Sequence, residues 1–122
     1  MSQYIYMTED TTNTPITECL IFKAGHSINP IRRGGQMKQA ARRAGIAGEV
    51  HMRVERYTVD LHTENKEYAA FVEGYVLAKI ASLPTAEHLS KEFFAIGWSD
   101  REYCYQHLTE WVNEAMRLWG EG

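Results

Sequence analysis

Two short runs with strand chemistry open the chain: Tyr4-Ile5-Tyr6-Met7, and then Ile16 to Phe22. In the second run Ile16, Leu20 and Phe22 fall on one face, Thr17, Cys19 and Ile21 on the other, and Glu18 is the polar exception on the first face. Turn-forming residues fill the stretch from Asp10 to Pro15, so the two runs read as an antiparallel hairpin with a long loop. Beyond Gly25 the pattern is irregular through Asn29-Pro30 and the consecutive Gly34-Gly35. From Gln36 the spacing becomes helical, with Met37, Ala40, Ala41 and Ala44 on one side and Lys38 and Arg42 four apart on the other. This predicts a short basic helix stopped by Gly45.

Residues 49 to 62 fit two periods. Val50, Met52 and Val54 alternate, and Tyr57, Val59 and Leu61 alternate with opposite parity, as one strand with a bulge near Glu55-Arg56 would do. A helix would align Val50, Val54, Tyr57 and Leu61 but leave Met52 and Val59 off its stripe. The β-branched Val54, Thr58 and Val59 favour the strand. A helix from about Glu64 to Leu83 follows, carrying Tyr68, Phe71, Val72, Tyr75, Val76 and Ile80 and ended by Pro84. Thr85 is placed to cap a second helix with Leu89, Phe93 and Ile96 inward and Gly97 at its end. The last helix is read from a capping box, Ser99 with Glu102, and a hydrophobic staple of Trp98 and Tyr103. Its inward stripe is Cys104, Leu108, Trp111, Ala115 and Leu118, and Gly120 closes it. The expected architecture is α+β: a small N-terminal antiparallel sheet of about three strands with a short basic helix, followed by three C-terminal helices, in a single domain over 1–122.

Composition sharpens this picture at one place. At 122 residues, with 44% hydrophobic and 24% charged residues and fourteen aromatics, the chain has the makeup of one globular domain. No stretch is long and apolar enough to predict a membrane span. The two cysteines, Cys19 and Cys104, lie far apart, and the opening MSQYIYMTED lacks the signs of a signal peptide, which leads to the expectation of a reduced, cytoplasmic protein. Net charge is −3, but its distribution is uneven. From 23 to 66 there are nine Lys and Arg against four acids, and from 67 to 122 four against nine. No Asp or Glu occurs between Cys19 and Gly48, whereas Lys23, Arg32, Arg33, Lys38, Arg42 and Arg43 do.

Chemistry is therefore expected around the glycine pair. Gly34 and Gly35 precede the basic helix, so the unpaired amides of its first turn would sit beside Arg32 and Arg33, and glycine lets a phosphate approach the backbone closely. The candidate ligand-binding residues are Arg32, Arg33, Gly34, Gly35, Lys38, Arg42, Arg43 and His26. The spacing matches neither a P-loop nor a dinucleotide-binding fingerprint, and neither a cofactor nor a metal is indicated. Residues 40–46, Ala-Ala-Arg-Arg-Ala-Gly-Ile, also resemble the first helix and turn of a helix-turn-helix DNA-binding motif. That resemblance implies a recognition helix in the segment that follows.

The five histidines, at 26, 51, 62, 88 and 107, show no zinc-ligand spacing. Cys104 and His107 read as a core residue and its flank. Glu73, inside an apolar helix, calls for an Arg or Tyr partner, or with Gly74 for a close helix neighbour or second subunit. Three functions compete. The first is a small non-enzymatic binding protein holding a phosphate-bearing ligand, nucleotide or nucleic acid. The second is an interaction module that inhibits or regulates a larger, nucleic-acid-binding complex through its charged surfaces. The third is a small His-dependent hydrolase or nuclease in which His26 and His51 act on a phosphodiester. Trp111 and Trp119 in the last helix lead to the further expectation of a homo-oligomer, most simply a homodimer.

Overall fold

A computed structural model describes residues 1–9, 19–30, 57–90 and 92–121. Five antiparallel strands form one sheet: β1 (Tyr4–Glu9), β2 (Cys19–Ser27), β3 (Thr58–Asp60), β4 (Glu87–Ser90) and β5 (Phe93–Gly97). Among the described residues two helices accompany them, α1 (Lys66–Ala81) and α2 (Trp98–Glu121). The strand order is β3-β1-β2-β5-β4. The α+β class stands, but the sheet is assembled from both ends of the chain.

Register decides which side chains meet the helices. Ile5 lies opposite His26 and Met7 opposite Ala24 in the β1–β2 pair, and Phe22 lies opposite Phe94 in the β2–β5 pair. Ile5, Met7, Phe22, Ala24, Phe94 and Ile96 thus share one face, and they form a single buried cluster with both helices. From α1 that cluster receives Ala69, Val72, Val76 and Ile80, spaced three, four and four apart. Burial of each Val or Ile contributes about 1.5–3 kcal/mol. From α2 it receives Cys104, Leu108, Trp111, Val112 and Ala115. Leu118, assigned inward by its spacing, is instead exposed. The opposite face of the sheet carries Tyr6, Thr8, Lys23 and Phe93, all buried as well.

α1 starts where its chemistry says it should. The Asn65 side chain accepts hydrogen bonds from the amides of Glu67 (3.0 Å) and Tyr68 (3.1 Å), relieving two of the four orphan donors of the first turn. The turn that leads into it bends at His62, whose φ of 54° is left-handed, while the Asp60 carboxylate accepts the His62 amide at 2.8 Å.

The segment after α1 departs from expectation. Leu89, Phe93 and Ile96 have helical spacing, yet residues 87–90 and 93–97 pair as the antiparallel strands β4 and β5 rather than forming a third helix. Phe93-Phe94-Ala95-Ile96 is buried on both sides, Phe94 and Ile96 toward the helices and Phe93 away from them, which a strand in mid-sheet can do. Leu89, by contrast, is exposed. Thr85 does not cap a helix. Its hydroxyl accepts the Gly97 amide at 2.8 Å and donates to the Asp100 carboxylate, which also accepts the Thr85 amide at 2.8 Å. Gly97 is therefore a closure point and not a helix stop: a β-carbon there would stand 3.0 Å from the Thr85 hydroxyl.

This tie also overturns the proposed capping box. α2 begins at Trp98, which puts Ser99 inside the helix, and the Glu102 carboxylate pairs with Arg101. Asp100 is the acid of the first turn, where its negative charge suits the helix dipole. Of the ambiguous segment 49–62, residues 58–60 form a strand, β3, and residues 49–56 lie outside the described residues.

Candidate functional site

Only one of the eight residues singled out for ligand binding falls among the described residues. His26 is the penultimate residue of β2; Arg32, Arg33, Gly34, Gly35, Lys38, Arg42 and Arg43 lie outside the described residues, as do the short basic helix, the helix-turn-helix-like segment 40–46 and His51.

His26 is not isolated. Strand parity turns it to the helix side of the sheet, and there its Nδ1 lies 3.5 Å from the Oε1 of Glu73 on α1. The two side chains are 27% and 25% exposed, so both reach the surface at one end of the sheet. At 3.5 Å the contact is an ion-pair distance without hydrogen-bond geometry, and Nδ1 itself is buried with no hydrogen-bond partner. The exposure of the ring is thus carried by its other atoms. Glu73 therefore has a histidine where the sequence called for an arginine or tyrosine. Gly74 beside it packs against nothing: a β-carbon would have no atom within 4 Å.

Behind His26 the backbone is crowded. A β-carbon on Gly25 would come within 2.5 Å of the Tyr6 hydroxyl and 2.7 Å of the ring carbon bearing it, so the Tyr6 ring lies flat over this glycine from the neighbouring strand. Tyr6 and Phe93 in turn flank Lys23, whose Nζ is 5.7 Å and 5.3 Å from the two ring centres. Lys23 is 1% exposed and donates to Glu92 at 2.8 Å. It belongs to the acid-free stretch by sequence, but its charge is spent inside the fold and does not face a ligand.

A second polar group holds the other end of β1. The Arg101 Nε lies 2.8 Å from both oxygens of Glu9, and the Tyr105 hydroxyl donates to Glu9 Oε1 at 3.0 Å. Tyr57 stacks on Tyr105 with ring centres 3.6 Å apart. Burial, and then the neighbouring Glu9 charge, push the Tyr105 phenol far up from its ordinary range, while the hydrogen bond to Glu9 raises Arg101. Both groups are thereby fixed in one charge state, which suits a brace between strand and helix.

Cys104 is fully buried, as its place on the inward stripe implies, and burial with the nearby Asp100 pushes its thiol up to about 12. His107 stacks on Tyr103 at 3.9 Å, and its Nδ1 meets the Tyr103 carbonyl at 2.8 Å. Neither has the surroundings of a nucleophile or a ligand. Among the described residues no group of three or more His, Cys, Asp and Glu is placed to hold a metal ion, and no helix is long and apolar enough to cross a membrane.

The sequence pointed to His26 through its place beside the basic stretch, and to Glu73 through its oddity in an apolar helix, but not to their meeting. Gln3 was missed altogether. It is 2% exposed, and its Oε1 has no hydrogen-bond partner. Compared with protein families, with curated proteins and with solved structures, the chain shows no significant match.

Proposed function

We propose that this protein holds a phosphate-bearing ligand, a nucleic acid or nucleotide, at the His26 end of β2 and hydrolyses its phosphodiester by acid–base chemistry at His26. The observation that supports this reading is the convergence of His26 and Glu73 from separate elements onto one partly exposed spot. The Glu73 carboxylate beside Nδ1 orients the imidazole and leaves the other ring nitrogen to exchange a proton with water. The chain supplies the anion-binding groups close by in sequence. Arg32 and Arg33 follow His26 by six and seven residues, a span of at most about 25 Å even when fully extended. In the proposed reaction a water oxygen bonds to phosphorus, its proton passes to His26, the P–O bond to the leaving group breaks, and the proton returns to the departing oxygen.

The test combines hydrolysis and binding. Bis(p-nitrophenyl) phosphate and labelled single- and double-stranded oligonucleotides are incubated with and without divalent cations. His26→Ala is expected to lower kcat by about 10²- to 10⁴-fold. The Arg32→Ala/Arg33→Ala variant is expected to weaken oligonucleotide binding and flatten its salt dependence. A wild-type protein that hydrolyses none of these substrates, or a His26→Ala variant as fast as wild type, refutes the enzymatic reading. Binding that survives without hydrolysis and is lost with the arginines would leave the non-enzymatic holding protein as the function. Phe71, Leu118 and Trp119, exposed together where α1 meets the end of α2, are the surface that supports self-association, which light scattering measures.

A further inference from the structure

α1 is apolar on two sides. One stripe, Ala69, Val72, Val76 and Ile80, is buried in the core. The other faces away from it: Ala70, Phe71, Gly74, Ala78 and Ala81 are exposed and Leu77 is half-buried. The charged residues of these turns do not break the outer stripe, since Glu73 meets His26 and Lys79 meets Glu114. A helix with apolar residues all round is ordinarily enclosed, so this stripe calls for a cover. Its spacing says of what kind. Ala70, Gly74, Leu77 and Ala81 follow one another by four, three and four residues, the seam of a two-helix coiled coil, with Phe71 and Ala78 seven apart along its flank.

We infer that this seam is covered by the same seam of a second copy of the chain, with the two α1 helices antiparallel about a twofold axis. Side-chain size selects that occupant and that direction. In an antiparallel pair Leu77 of each chain lies over Gly74 of the other, where a β-carbon has no atom within 4 Å, so the gap on one helix receives the bulge on its mate. Phe71 likewise meets Ala78, and Ala70 meets Ala81. Each contact occurs twice, as twofold symmetry requires. A parallel pair would set Leu77 on Leu77 and Gly74 on Gly74, wedging the helices apart at one layer and leaving a void at the next. It would also place the exposed Glu67 of each first turn beside its twin. The antiparallel pair separates these carboxylates by about 24 Å, the length of the 16-residue helix, and sets the two helix dipoles in opposition. Trp119, with its ring centre 5.3 Å from that of Phe71, steadies the flank before the second copy arrives. Such a seam lies at the small end of specific interfaces, below about 1,200 Å² in total, and gives a weak dimer that forms at about 10–100 µM. The dimer deepens the self-association proposed above by giving it a seam and a direction, and it owes nothing to hydrolysis.

Sedimentation velocity of the full chain from about 1 to 500 µM is the test. Wild type should pass from monomer to dimer and stop there, because a twofold contact closes. Gly74→Glu puts a charged side chain where Leu77 of the second copy sits and should weaken dimerisation at least about tenfold. Its urea midpoint in dilute solution should not fall, since glycine is the poorer helix former, so lost association is not lost folding. Ala70→Lys/Ala81→Glu reads the direction. The two positions are about 16 Å apart on one helix, out of each other's reach, but antiparallel helices bring each new lysine to a new glutamate of the other chain. Affinity should then stay within about threefold of wild type, whereas parallel helices would set lysine on lysine and glutamate on glutamate. A smaller effect of Gly74→Glu, or a larger loss in the double variant, overturns the inference. So does a chain that stays monomeric throughout, which would leave the stripe to a different partner, or one that builds oligomers beyond two. If Trp119→Ala abolishes association and Gly74→Glu does not, self-association at the Trp119 surface stands and the α1 seam falls.

Discussion

Removing Glu92 is expected to cost more than removing Lys23, although the two form a single ion pair. Lys23 is 1% exposed and Glu92 24%. Lys23→Met keeps the apolar stem between Tyr6 and Phe93 and leaves behind a carboxylate that water reaches and that makes a further interaction of its own. The loss is one hydrogen bond to a charged group, partly replaced by solvent, about 1 kcal/mol. Glu92→Ala leaves an ammonium enclosed by two rings with no counter-charge. Breaking a buried pair in this way costs about 3–5 kcal/mol. Attraction to the two ring faces offsets part of it, for a net of about 3 kcal/mol. With Lys23 already replaced, Glu92 has little left to hold, so the double variant should be destabilised by only about 1 kcal/mol. Urea unfolding followed by tryptophan fluorescence measures all three. At a slope of about 1.5 kcal/mol/M the midpoint should fall by about 2 M for Glu92→Ala and by under 1 M for the other two. Equal costs for the two single variants, or additive costs in the double, would show that Lys23 is not the enclosed partner and refute the reasoning.

Other outcomes follow from single residues. Gly74→Ala should raise stability by about 0.5–1 kcal/mol, because the position is mid-helix and a β-carbon would touch nothing; an unchanged or lower urea midpoint contradicts this. Cys104, with its thiol up to about 12, should resist iodoacetamide at pH 8 in the folded protein, where the thiolate fraction is about 10⁻⁴, and react once urea unfolds the chain. Peptide mass spectrometry would locate the label. The His62 amide holds the Asp60 carboxyl below its usual 3.8, so this group supports the fold above pH 3.8 and that support is lost as pH falls through its lowered folded value. Asp60→Asn should therefore flatten the acid end of the stability–pH curve, and an identical curve would remove Asp60 from the account.

Particular residues show what could be read in advance. α1 was legible because Tyr68, Val72, Val76 and Ile80 repeat every four residues, at helical spacing, and Pro84 bars continuation. The β4–β5 pair was not, because Leu89, Phe93 and Ile96 satisfy a helical period by coincidence, and what decides the matter is a partner far away in the chain. β5 exists because β2 offers it Ile21, Phe22 and Lys23 to pair with, and no window of local sequence contains that fact. The same holds for the site. His26 and Glu73 are forty-seven residues apart, and only the packing of α1 on β2 makes them neighbours. Lys23 misled for the converse reason: a lysine in a basic stretch looks solvated until the fold encloses it.

The order of the strands places β4 at one margin of the sheet, and its make-up has a consequence for how the protein behaves in crowded company. β4 has four residues, and its pairing with β5 slips between His88 and Ser90. An outer strand of that length spans only about 13 Å, and the slip turns part of it out of line. A second chain seeking to add itself along this margin would find too few aligned amides and carbonyls to hold on to, and Glu87 at the strand's start would add repulsion toward acidic neighbours. The shortness and the slip of this strand thus protect the β4 margin of the folded protein from edge-to-edge aggregation.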